Sequence, residues 1–224
     1  MKRSLKYLFK TSDSFFNPQQ GQHRLNPPDD QWWELMQHPS ASTQVIAIRH
    51  IKTDQELTQD QQSALLEKLQ SAERAATLHA ITTTEQLASR QDNKISDSLA
   101  DQIRTLVDHR DDEIRAKAMC ALTTINRIDG STIDAAASMI EEDTRHVVFA
   151  GVNALTTVDQ VPEYILPSFD RSFIKALKAC DYEFVGLFTK AYTRWHDDPK
   201  QHLEQLLDNS PEFLPIAMEA LDEN

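Results

Sequence analysis

The sequence predicts an all-α chain folded as a solenoid of paired helices, and three observations carry that prediction. The nine residues CALTTINRI (120–128) return almost unchanged 33 positions later as NALTTVDQV (153–161). Around them, small and apolar residues recur at i, i+4, i+7 and i+8, which is one face of an α-helix. The 224 residues also hold only four glycines, too few for the turns of an all-β protein.

Setting Ala121 under Ala154 brings Ile114 over Val147, Ala118 over Gly151 and Leu122 over Leu155. Phe184, Phe188, Ala191 and Tyr192 fill the same columns in a third copy, and Phe213, Ala217, Ala220 and Leu221 in a fourth. A weaker copy lies upstream with Thr77, Ala80 and Ile81. Successive strong copies are offset by 33, 37 and 29 residues. Alanine in every copy of one column predicts a closely approaching neighbour helix, because a larger side chain would hold it off. Gly151 and Gly186 lie inside these helices, where each costs about 1 kcal/mol relative to alanine. Close helix contact is the expected compensation at both.

A shorter partner helix precedes each strong copy: SLADQIRTLVD, TIDAAASMIEE, SFIKALKAC and KQHLEQLLDN. Gly130 can end one helix in the left-handed conformation, with Ser131 or Thr132 capping the next. Asp198-Pro199 and Ser210-Pro211 each set a capping side chain before a proline at the first helical position. Pro215 lies one turn too deep for a helix starting at Pro211, so the last helix starts later or kinks. Helix pairs repeating every 30–40 residues bury their faces mainly against their neighbours, which defines a solenoid.

Within the best-defined unit, LVDHRDDEIRAKAMCAL resembles the turn and second helix of a HEAT-like repeat, the short armadillo-type kind also found in phycobilin lyases. Asp108 with Asp111 or Asp112 matches the acidic turn, Ile114 the apolar position and Arg115 the basic one. Ala118, Ala121 and Leu122 match the packed face. In the other copies Val148, Val185 and Leu214 replace the arginine, while Asp143 and Asp181 keep part of the acidic turn. The resemblance implies a HEAT-like α-α superhelix of about four helix pairs, with an irregular N-terminal segment. It also implies protein binding on the concave face, or alternatively an enzyme on the same scaffold, phycobilin-lyase-like or DNA-glycosylase-like.

Residues 1–57 are expected to form an N-terminal arm and solenoid cap, and residues 58–224 the repeat domain. Residues 11–31 mix Pro, Gln, Asn and Asp without periodicity, as a loop or extended arm would. Trp32 and Trp33 follow. Their tandem placement suits either a lid on the open end of the repeat core or an anchor for a partner protein.

Charge narrows the function classes. Residues 61–224 hold 16 Lys/Arg against 28 Asp/Glu, which gives the whole net charge of −12. So acidic a surface repels phosphate backbones, so nucleic acid is not the expected partner. No apolar run reaches the roughly 18 residues of a membrane span, and Lys6 and Lys10 break up any secretory signal core. Cys120 and Cys180 have no CxxC spacing, which fits a reducing cytoplasm. The turn Asp108-His109-Arg110-Asp111-Asp112 and its echo Trp195-His196-Asp197-Asp198 have no recognised metal spacing and suit helix capping. No histidine pair of the HExxH kind and no glycine-rich phosphate loop occurs. The expected protein is therefore a scaffold or adaptor without catalytic, cofactor or metal-binding residues, whose partner is another protein.

Overall fold

The structure, a computed structural model, describes residues 29–38, 40–50, 57–90 and 95–223. Of the arm expected over residues 11–31, residues 11–28 lie outside this set. The described residues form twelve α-helices and no strand. They are α1 Asp29–Leu35, α2 Ala41–His50, α3 Gln59–Leu69, α4 Arg74–Arg90, α5 Asp97–Thr105 and α6 Asp112–Thr124. The chain continues with α7 Gly130–Met139, α8 Arg145–Leu155, α9 Leu166–Lys178, α10 Tyr182–Trp195, α11 Pro199–Leu206 and α12 Leu214–Asp222.

Capping residues set many of these boundaries. Asp111 accepts from the amides of Glu113 and Ile114 at the start of α6, and Asp198 from Gln201 at the start of α11, with Pro199 leading the helix. Thr58 and Gln61 form a reciprocal capping box at α3. At α7 the residues take different roles from those expected. Asp129 is the cap, bonded reciprocally with Thr132, while Gly130 is the first helical residue and has no positive φ. Among the described residues the left-handed positions are Asn126 (φ 54°) and Cys180 (φ 53°), one residue beyond the C-caps of α6 and α9. Each hands its following amide back across the last turn, Arg127 to the Leu122 carbonyl and Asp181 to that of Ala176. Pro215 causes no kink. A 3₁₀ turn at Pro211–Phe213 comes first, so α12 begins at Leu214 with Pro215 in its first turn, where no amide is needed.

The helices stack as pairs. Each even helix packs along its neighbours in the row α2–α4–α6–α8–α10–α12. The odd helices cover the other side of that row; α3 and α5 touch, and later odd neighbours meet at most marginally. A stack with one close row and one splayed row curves toward the close one, so the even helices line the concave side. Residues 59–222 supply five pairs, and α1–α2 adds a sixth at the N-terminal end. The segment from Asp29 is thus helical where a loop was expected to reach residue 31.

Counted from the helix start, the repeated columns occupy positions 3, 7, 10 and 11. Ile114, Ala118, Ala121 and Leu122 in α6 and Val147, Gly151, Ala154 and Leu155 in α8 are all buried. The same count in α4 gives Ala76, Ala80, Thr83 and Thr84, also buried. Thr77, Ala80 and Ile81, the residues of the weak upstream copy, are buried as well.

Gly151 and Gly186 separate sharply. A Cβ on Gly151 would lie 2.7 Å from the Ala136 carbonyl oxygen and 2.9 Å from the Met139 Cβ, so α7 rests directly on the backbone of α8. Around Gly186 nothing lies within 4 Å of such a Cβ, so close helix contact does not account for this glycine. The core is richest between α9 and α10, where Phe169 meets Phe188 at 4.5 Å and Phe173 meets Tyr192 at 5.4 Å, ring centre to ring centre. All four rings are fully buried and tilted edge to face, the favoured geometry for aromatic pairs.

Candidate functional site

Positions 3, 7, 10 and 11 of these even helices face the core, and positions 2, 6, 9 and 13 form a separate stripe about 115° round the helix at 100° per residue. On α6 these are Glu113, Lys117, Cys120 and Thr124, each half-buried or exposed. On α8 His146 and Asn153 take the same places, Ala150 is buried, and Thr157 follows in the turn beyond the helix. On α10 they are Glu183, Leu187, Lys190 and Arg194. The result is a mixed surface over α6, α8 and α10 on the concave side, interrupted where Ala150 is buried and where Leu187 takes the place of a polar residue. Lys117 joins it laterally to α4 through Glu85, at 2.7 Å, and Thr124 donates to the same carboxylate at 3.3 Å.

Cys120 sits in this surface, half-buried. Burial pushes its thiol up, and the nearby Glu85 carboxylate adds to the effect. Cys180 is exposed, and its left-handed backbone marks it as the end of a helix.

The acidic turns form a ladder along one edge of the solenoid. The Arg74 Nε, at the start of α4, lies 2.7 Å from Asp111, and Arg74 also pairs with Glu113. Two repeats on, Arg145 starts α8 and reaches Asp181 at 3.1 Å and Glu183 at 2.7 Å. Its guanidinium also lies 4.9 Å from the centre of the Phe184 ring. Between these two rungs, Arg115 bridges Asp112 at 2.9 Å and Glu142 at 2.7 Å, and Thr144 donates to Asp112. Hydrogen bonding from Arg74 is the main reason Asp111 titrates below the usual carboxylate range. The acidic turns therefore cap their own helices and clamp the adjoining repeat. Among the described residues, no group of three His, Cys, Asp or Glu side chains is placed to hold a metal ion.

A cleft of about 350 Å³ opens where α7 and α9 diverge. Ile140, Val148, Ala176 and Phe184 line its apolar part. Rim charges pair with each other, Arg171 with Glu141 at 3.1 Å and Lys175 with Asp143 at 3.0 Å.

Trp32 is buried, 8 % exposed, beside Leu35, Met36 and Ile48 in the core, and Trp33 is half-buried against it. At the second acidic turn, Asp198 caps α11 while His196 turns inward and stacks on His202. Asp170 and Tyr192 complete that cluster. His202 and Asp170 carried no motif in the sequence, and their meeting depends on how α9 and α11 close around α10.

No family model and no curated protein matches the chain. Solved structures do. An engineered protein superimposes with a TM-score of 0.63 at 16% identity, over 87% of this chain and 95% of its own. A designed armadillo repeat protein follows at TM-score 0.59 and 16% identity, over 87% of this chain and all of its own. The fold is an armadillo-type helical solenoid. Another designed armadillo repeat protein, solved in complex with the peptide (KR)4, matches at TM-score 0.58 and 16% identity over the same 87%. At such low identity the likeness to these solenoids extends to the fold alone. No helix among the described residues is long and apolar enough to cross a membrane.

Proposed function

We propose that this solenoid is a non-catalytic scaffold that holds an extended segment of a partner protein along the concave face of its even helices. The observation that carries this reading is the register of that face. Most equivalent positions of α6, α8 and α10 surface, so a straight chain can cross several helices and meet exposed or half-buried side chains on each. The partner segment is basic on the strength of the whole chain's charge, not of this face alone, whose named residues set Lys117, Lys190 and Arg194 against Glu113 and Glu183. The chain's net charge of −12 attracts cations and repels acidic chains, and a designed neighbour of the same fold was solved with an alternating Lys-Arg peptide. The protein works in the cytoplasm, where two unpaired cysteines stay reduced.

Fluorescence anisotropy with a labelled Lys/Arg-rich peptide and its Glu-substituted counterpart tests the reading. The basic peptide should bind saturably and weaken as salt rises, while the acidic one should not bind. Equal binding of both, or of neither, would remove the basic-segment proposal.

A further inference from the structure

The seam between α10 and α11 is closed by two histidines. α10 ends at Trp195, and His196 follows in extended conformation, its amide still donating to the Tyr192 carbonyl at 3.1 Å. The cap at Asp198 starts α11 at once, which brings His202 back over His196. The two imidazoles lie 3.9 Å apart with only 14° between their planes. Tyr192 flanks both rings, at 5.8 Å from His196 and 4.8 Å from His202. The Nε2 atoms of both histidines are buried without a hydrogen-bond partner.

Such a stack is stable while its rings are neutral. A second proton would place two like charges at stacking distance in a partly dry site. The available counter-charge is small. From α9 the seam is faced by Asp170, whose Oδ1 already accepts from the Tyr192 hydroxyl at 2.7 Å and lies 3.6 Å from the His202 Nε2, beyond hydrogen-bond reach. On the connecting turn Asp198 is engaged in its cap, and Asp197 is exposed. On α10 Arg194 turns away to Asp159 and to the Thr156 carbonyl. α12, packed on α10 and α11, brings Asp222, which pairs with Lys200 at 3.0 Å.

We propose that the stacked His196–His202 pair is an acid-sensitive latch that holds the last repeat, α11–α12, against α10 and loosens when the pair takes up protons. The electrostatics agree. Burial, then repulsion from His202, holds the His196 imidazole below the ordinary histidine range, and Asp170 only partly opposes them. A group whose folded pKa is depressed stabilises the fold fully above its unfolded pKa, here about 6.5, and loses that contribution as pH falls below it. The latch is thus closed at neutral pH and weakened in mild acid, which would free one end of the concave row.

Two measurements on the full chain test this. In the unmodified protein, the His196 ring proton resonance should titrate with a midpoint below 6.5. Limited proteolysis between residues 196 and 211 should be severalfold faster at pH 5.5 than the protease's own pH dependence explains. His196→Phe keeps an aromatic stack without a titrating group and should abolish that acceleration, with His202→Phe as the second variant if the first does not fold. A His196 midpoint at or above 6.5, or unchanged acid sensitivity in the folded variant, would overturn the latch.

Discussion

The Ala136 carbonyl oxygen stands 2.7 Å from where a side chain would begin on Gly151. That single approach fixes how closely α7 lies on α8. It also explains why the alanine that occupies the equivalent place in α6, Ala118, gives way to glycine here. Gly151→Ala forces the helices apart and should cost about 1–3 kcal/mol in denaturant melts. Gly186, equally deep in a helix but with open space around it, should respond oppositely: Gly186→Ala should stabilise by up to about 1 kcal/mol. Equal signs for the two substitutions would contradict the packing described.

The alanine column makes a related demand. Ala121 and Ala154 are fully buried at helix contacts, and leucine at either should cost about 1–3 kcal/mol. Gln205→Ala, on the exposed side of α11, is a suitable control and should shift stability by less than about 0.5 kcal/mol. Gln102 would be a poor control, because it is half-buried and accepts from Gln70 at 3.0 Å.

The arginine clamps should appear in the acid limb of stability. Asp111 titrates low in the folded state because of Arg74, so its contribution is complete above the unfolded value of about 3.9 and is lost as pH falls below that. Asn is also a good helix cap, so Asp111→Asn removes the charge while leaving the cap. Denaturant melts from pH 6 to pH 2 should show a shallower loss for this variant than for the unmodified chain, and the difference should shrink in high salt.

Much of this fold was legible in the residues. The packed columns announced the even helices, and the Asp-Pro pair at 198–199 marked the start of α11 to the residue. Legibility failed where the cause is remote. The Arg74 and Arg145 clamps span 37 and 36 residues, and no local spacing reveals them. α9 begins at Leu166, six residues ahead of the SFIKALKAC segment, because a 3₁₀ turn and Pro167 start it early and bring Phe169 into the core. Of the two helical glycines, only one meets a neighbour, and sequence cannot tell which. The concave face was foreseen as a surface but not its residues, because those positions change type from one repeat to the next, as with Lys117 in α6, Ala150 in α8 and Leu187 in α10.

The division into an arm and cap (1–57) and a repeat domain (58–224) is proposed on the apolar content of residues 32–51 and is open to truncation. Removal of residues 1–26 should leave the melting temperature nearly unchanged. Removal of residues 1–52 takes away Trp32, Met36 and Ile48, which are buried here, and each such side chain stabilises by about 1.5–3 kcal/mol. The longer truncation should melt markedly lower or aggregate. If it melts like the intact protein, Trp32 and Trp33 do not serve as a cap, and their candidacy as partner anchors gains weight.

The binding face can be tested most directly by placing a photo-crosslinking residue at Thr157, exposed in the turn that ends α8, or at Ser138, on the exposed side of α7. Both variants are then irradiated with the same basic peptide. A peptide held across the even helices should crosslink at 157 and not at 138. Crosslinking at 138 alone, or equally at both, would contradict a concave binding face.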